Sequence, residues 1–240
     1  LPLRSGDRDL FLLVSDSLSK LGARTLLFLR QIEEIAWSQD GGPSGRYLKE
    51  TAEGEADGCR RVTLVSERKG EPVMKETWLV LSREARTEAG TLAGSIEIAF
   101  LLHSDKEAKK WTVQRVDASP LYAFFPTEKP THLGFLVQGP YRTTPSRDNV
   151  PPLVAWNVKL VQETAALLLD VLVALRSREL LDVAALQCLP IERDYFSEGS
   201  MFAPLFDSVL GALASQPLLP RSVGGWTSAR NARLARTQEL

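Results

Sequence analysis

Cysteine and histidine are nearly missing from this sequence, with two of each in 240 residues. Cys59 and Cys188 stand far apart and fall in no CxxC or Cys/His spacing, which argues against a disulfide framework. They read as small buried hydrophobes of a reduced compartment. His103 ends a strand pattern and His132 sits in a loop, neither at metal-ligand spacing with a partner. A GxSxG elbow and a GxxxxGK[ST] phosphate loop are also lacking. The pairs Gly41–Gly42 and Gly224–Gly225 read as turns, because no strand-turn-helix context surrounds them. No apolar run reaches a transmembrane length. The start, "LPLRSGDRDLFLLVSD", carries charges inside any would-be signal core. It also lacks an initiator Met, as a fragment or a processed chain would. Charge of one sign is not in excess: 29 Lys and Arg against 30 Asp and Glu leave −1. Nothing global therefore points to nucleic acid or an acidic membrane surface.

What is present is an ordinary globular composition, 44% hydrophobic and 25% charged, long enough for one large domain or two modest ones. Before residue 150 the pattern is alternating and short. Strands are expected over 31–37, 45–51, 60–67, 73–82, 94–103, 120–127 and 133–139. The breaks "QDGGPSG", "EGEADG" and "ERKGEP" read as hairpin loops. One helix is expected over 8–22, stopped by Gly22, and a short turn over 23–30.

After residue 150 the period becomes helical. Leu160, Ala165, Leu168, Leu172 and Leu175 share one stripe of a helix expected over 153–176. The pattern continues as a helix over 177–189, and a third over 199–216 with Ser200 as its N-cap. The basic tail with Arg230, Arg233 and Arg236 reads as a solvated helix face. Tyr122, Phe124, Phe125, Phe135, Trp156, Trp37 and Trp78 read as core. The expected class is α+β: a mostly antiparallel sheet followed by a helical C-terminal third.

No nucleophile–base pair or metal set can be assembled. One segment carries other chemistry: "PYRTTPSRDNVPP", residues 140–152. Its prolines remove backbone freedom, so ordering it costs little entropy. Arg142 and Arg147 carry planar forks suited to phosphate oxygens. Thr143, Thr144 and Ser146 add hydroxyls, and Asp148 and Asn149 can orient an arginine or cap a helix. The same residues also suit a plain connector, with Arg147 paired to a surface carboxylate.

The order "FFPT" (124–127), "GF" (134–135), "SRDN" (146–149) and "WN" (156–157) resembles sacsin-like and Hsp90-type proteins, in the segment downstream of their Bergerat-fold ATPase. "TLLFLRQIEEIAW" (25–37) resembles the entry into their middle domain, and "LPLR" the closing strand of the ATPase domain. The resemblance implies an Hsp90-middle-domain-like fold. It divides the chain into 1–22, the end of an ATPase domain and a connecting helix; 23–152, a β-rich transducer-like domain; and 153–240, a helical region. It also implies that Arg147 is offered to the γ-phosphate of ATP, as an arginine finger lowers a phosphoryl-transfer barrier. Arg142, Ser146 and Asp148 would assist.

The Asn, "DxGxG" loop and Gly-rich lid that hold ATP in that family do not occur here. ATP and Mg are thus expected only in an intact parent with an upstream Bergerat-fold domain. The implied setting is a cytoplasmic chaperone-like ATPase, without membrane or nucleic-acid partners and able to homodimerise, with an unidentified client. The alternative is a non-catalytic interaction or scaffold domain, for instance in a bacterial defence assembly.

Overall fold

The computed structural model describes Val14, Ser17 and residues 22–38, 42, 44–52, 58–105, 107, 110–146 and 148–233. Most of the helix expected over 8–22 lies outside these residues, with Val14 and Ser17 helical. The chain is α+β, with a large, mostly antiparallel sheet and a few helices. It divides into two compact units. One comprises Leu1–Glu55 and Arg60–Trp78; the other comprises Ala56–Cys59 and Leu79–Leu240.

In the first unit a 3-10 turn, Ala23–Leu26, precedes strands β1 (Glu34–Ser38), β2 (Ser44–Ala52) and β3 (Cys59–Arg68, within this unit from Arg60). Gly22, expected to stop the helix over 8–22, is extended and leads into that turn. The hairpins are antiparallel, with Trp37 opposite Gly45 and Tyr47 opposite Ser66. Gly45 makes room for the indole: a Cβ there would sit 2.3 Å from the Trp37 ring. Tyr47 is fully buried, packs 4.8 Å from Trp37, and accepts from the Arg68 guanidinium at 2.6 Å. The strand β4 (Met74–Arg86) begins in this unit, where Arg24 lies over Trp78 and forks onto Glu76.

The second unit holds β5 (Leu92–Asp105), β6 (Lys110–Gln114), β7 (Pro120–Ala123), β8 (Phe125–Pro130) and β9 (Leu136–Gln138). They hydrogen-bond in the order β5-β9-β7-β8, with β6 on the C-terminal part of β5. Only the β7–β9 pairing is parallel among these ladders. Eight consecutive residues of β5 are buried, so both of its faces are covered. Ile96, Ile98, Phe100 and Leu102 meet the helices on one face, and Phe100 stacks on Phe135 at 4.6 Å.

Helix α1 (Ala155–Ser177) supplies the expected stripe: Leu160, Ala165, Leu168, Leu172 and Leu175 are all buried. It packs against β5 and against α3 (Ala203–Ser215). The helix expected over 177–189 is not continuous. Glu179 takes φ 57°, Leu180 N–H donates back to Leu175 C=O at 2.8 Å, and Glu179 N–H donates to Arg176 C=O at 3.0 Å. This paired closure ends a helix, with Glu in the place glycine usually fills. Only Val183–Leu186, α2, resumes, capped by the Asp182 carboxylate accepting from Ala185 N–H at 2.9 Å.

The third helix starts later than expected. Phe202 is its N-cap and Pro204 stands in its first turn, while Ser200 precedes it as part of a turn. Beyond it the chain forms a small hairpin of β10 (Leu219–Pro220) and β11 (Trp226–Thr227), and the described part of the basic tail, up to residue 233, is not helical. Arg236 lies outside the described residues; Arg230 N–H donates to Ala214 C=O at 3.3 Å. Among the described residues no helix is long and apolar enough to cross a membrane.

Candidate functional site

The polar loop leaves β9 at Gly139 and reaches α1 at Val154. What fixes it is a pair of side chains in the first turn of the helix. Asn157 is fully buried. Its Oδ1 accepts from Arg142 N–H at 2.8 Å, and its Nδ2 donates to Arg142 C=O and to Pro151 C=O, both at 2.9 Å. One amide thereby joins the two ends of the loop, and it satisfies backbone groups that no strand or helix reaches. Trp156, one residue earlier, donates from Nε1 to Pro140 C=O at 2.8 Å. The pair "WN" is therefore the clamp of the loop.

Inside the clamp the loop ties itself. Thr144 N–H donates to Asn149 C=O at 2.9 Å, and the Thr144 hydroxyl donates to the Asp148 carboxylate at 2.5 Å. Hydrogen bonds from Thr144 and then Ser146 hold the exposed Asp148 carboxyl below the ordinary carboxylate range. The Asp148 charge serves loop hydroxyls, and neither it nor Asn149 caps the helix, whose N-cap is Val154. Below the loop, Tyr141 is buried, and its hydroxyl lies 3.2 Å from Thr164 Oγ1. Thr164 spends its own proton on Leu160 C=O at 2.7 Å, so Tyr141 is the donor of the pair. Burial pushes the phenol up to about 12.

The sequence-derived site residues divide as follows. Arg142 is exposed, and its guanidinium has no hydrogen-bond or ion-pair partner among the described residues. Ser146 and Asp148 are exposed at the same loop tip. Arg147, the residue of greatest interest, lies outside the described residues. Among the described residues no three His, Cys, Asp or Glu side chains gather as a metal site. Both cysteines are free and buried, and burial raises the Cys188 thiol to about 11.

Sequence reasoning missed two features. Phe124 and Phe125, expected in the core, are 45% and 44% exposed. The single strand expected over 120–127 breaks between β7 and β8 because Phe124 takes φ 68°. The second feature is a cleft of about 560 Å³ lined by Arg115, Asp117, His132, Glu192 and Tyr195 among others. There His132 stacks on Tyr195 at 4.6 Å, and Arg115 donates to Gln187 C=O. Its members come from three distant segments, which no local motif could have joined.

No known family, curated protein or solved structure matches the chain.

Proposed function

We propose that this chain is a transducer-like module of a larger ATPase, and that its loop 140–152 presents arginine to the phosphate of a nucleotide held on a separate, Bergerat-type domain. The observation that carries this reading is the Asn157 clamp. A fully buried amide holds both ends of a loop whose tip offers charge and hydroxyls to solvent. A group that must meet developing charge in one geometry benefits from such fixation, since preorganisation is what makes a charged donor effective there.

The residues fit a phosphate ligand. Arg142 has an exposed guanidinium without a partner among the described residues, and Thr143 and Arg147 belong to the same short loop, where the Ser146 hydroxyl already serves Asp148. The resemblance of "SRDN" to the phosphate-sensing position of Hsp90-type proteins assigns the leading role to Arg147. The nucleotide supplies the phosphate charge, and Mg accompanies it. This chain supplies the cation and the rigid base from which it extends. Loss of the phosphate would release the loop's partner, so nucleotide state becomes domain docking.

The test is ATP turnover by the full-length protein that carries this chain. Arg147→Ala should lower turnover by about a thousandfold or more, as removal of an arginine finger does. Arg147→Lys should not restore it, because a point charge does not reproduce the planar fork. Turnover equal to wild type in Arg147→Ala and Arg142→Ala would refute the phosphate role in favour of a non-catalytic interaction domain.

A further inference from the structure

The cleft beside His132 is walled by three segments that main-chain bonds staple together. Val116 N–H donates to Gly134 C=O at 3.0 Å, Gly134 N–H to Cys188 C=O at 2.9 Å, and Thr131 N–H to Ser119 C=O at 3.0 Å. Between these staples His132 takes φ 59°, a state that few residues with a Cβ adopt, and the bonds on either side hold it there. Its ring lies 4.6 Å from that of Tyr195, with the planes 14° apart. Tyr195 comes from the short 3-10 turn Arg193–Tyr195 and is 51% exposed, so the stacked pair still presents ring surface to solvent.

The charges in this cleft are not spent on one another. Arg115 donates one guanidinium N–H to Gln187 C=O, at the end of α2, which steadies the side chain and leaves its other donors open. Asp117 and Glu192 line the same space, and among the described residues neither carboxylate has a hydrogen-bond or ion-pair partner. Nor do Asp117, Glu192 and His132 gather as a metal site. A cation and two anions therefore share about 560 Å³ without pairing, in a space whose volume is that of a small-molecule site, roughly 300–1,000 Å³. A purely anionic ligand would meet the two carboxylates, and a purely cationic one would meet the guanidinium. A ligand carrying both charges answers all three groups, as electrostatic complementarity requires.

We propose that this cleft binds a small zwitterion, an α-amino acid with a planar side chain. Its carboxylate would take the free donors of Arg115, its ammonium would face Asp117 and Glu192, and its side chain would lie on the His132–Tyr195 rings. Ile191, 43% exposed in the same lining, adds apolar contact for that side chain. The proposal does not depend on the phosphate reading of loop 140–152.

Isothermal titration calorimetry of the full-length protein with L-phenylalanine tests this, against phenethylamine, which lacks the carboxylate, and hydrocinnamate, which lacks the ammonium. Each analogue should bind at least about tenfold more weakly, the worth of one charge-assisted contact. Arg115→Gln should bring L-phenylalanine down to the level of phenethylamine without weakening phenethylamine itself. Asp117→Asn combined with Glu192→Gln should bring it down to the level of hydrocinnamate without weakening that anion. Tyr195→Leu should weaken all three compounds. Every one of these positions is exposed, so the variants keep the fold. No heat from L-phenylalanine or from L-tryptophan, equal binding of the three compounds, or binding that the variants leave unchanged overturns the site.

Discussion

Replacing Asn157 by alanine is the sharpest probe of the clamp. The substitution removes one acceptor and two donors, and it strands Arg142 N–H, Arg142 C=O and Pro151 C=O. At about 1 kcal/mol net for each bond, the loss comes to about 3 kcal/mol. In a domain of this size each kcal/mol moves the melting midpoint by about 2–4 °C, so the unit containing α1 should melt about 6–12 °C lower. Thermal unfolding followed by circular dichroism reads that shift, and Val158→Ala, one residue along at a 39% exposed position, is the control. A local readout accompanies it: brief trypsin treatment should cut after Arg142 faster in the variant, because the ends of the loop are no longer joined.

Asn157→Asp extends the argument to pH. Its carboxylate keeps the acceptor but faces two carbonyls, so the folded state favours the protonated acid and raises its pKa above the unfolded value. The variant's deficit should be smallest below the unfolded carboxyl pKa of about 4 and grow as pH rises through the folded one. If Asn157→Ala melts within about 1 °C of wild type and trypsin cleaves both alike, the clamp contributes nothing and the reasoning built on it fails.

Two further perturbations follow from the geometry. A Cβ at Gly134 would lie 2.5 Å from Cys188 Cα and 3.0 Å from its carbonyl oxygen, and backbone cannot swing aside as a side-chain end can. Gly134→Ala should therefore cost about 3 kcal/mol or more in urea unfolding, whereas Gly211→Ala, with open space around it, should be neutral or stabilising. For Tyr141, the folded pKa of about 12 lies above the unfolded value of about 10. The buried neutral phenol thus supports folding fully below pH 10, and that support is lost as pH rises toward 12. Ultraviolet difference titration of wild type against Tyr141→Phe should show one phenol absent from the ordinary transition.

Strand positions were legible where alternation and turn chemistry agreed. Thus Ser44–Ala52, Cys59–Arg68 and Leu92–Asp105 fall within two residues of their expected limits at each end. Helix α1 was legible because 23 residues without Gly or Pro carry one apolar stripe. The misses share a cause. Glu179 and Phe124 take positive φ without glycine's permission, one held by helix-end hydrogen bonds and the other by a distant glutamine. Neither break has a composition signal, since what enforces each is tertiary or main-chain geometry. The loop was legible as stiff and cationic. That a neighbouring asparagine holds it was not, because one Asn at the start of a helix looks the same whether it faces solvent or a loop.

The Asn157 clamp also makes the loop separable in an engineering sense. With Arg142 and Pro151 joined through one amide, and Val150 fully buried as a footing, the two ends of the loop stay put whatever lies between. Lengthening a loop adds only about 0.6 kcal/mol for each doubling. A foreign peptide of similar size grafted between Arg142 and Val150 would be displayed with both termini fixed, on a scaffold whose helix and sheet need not be redesigned to carry it.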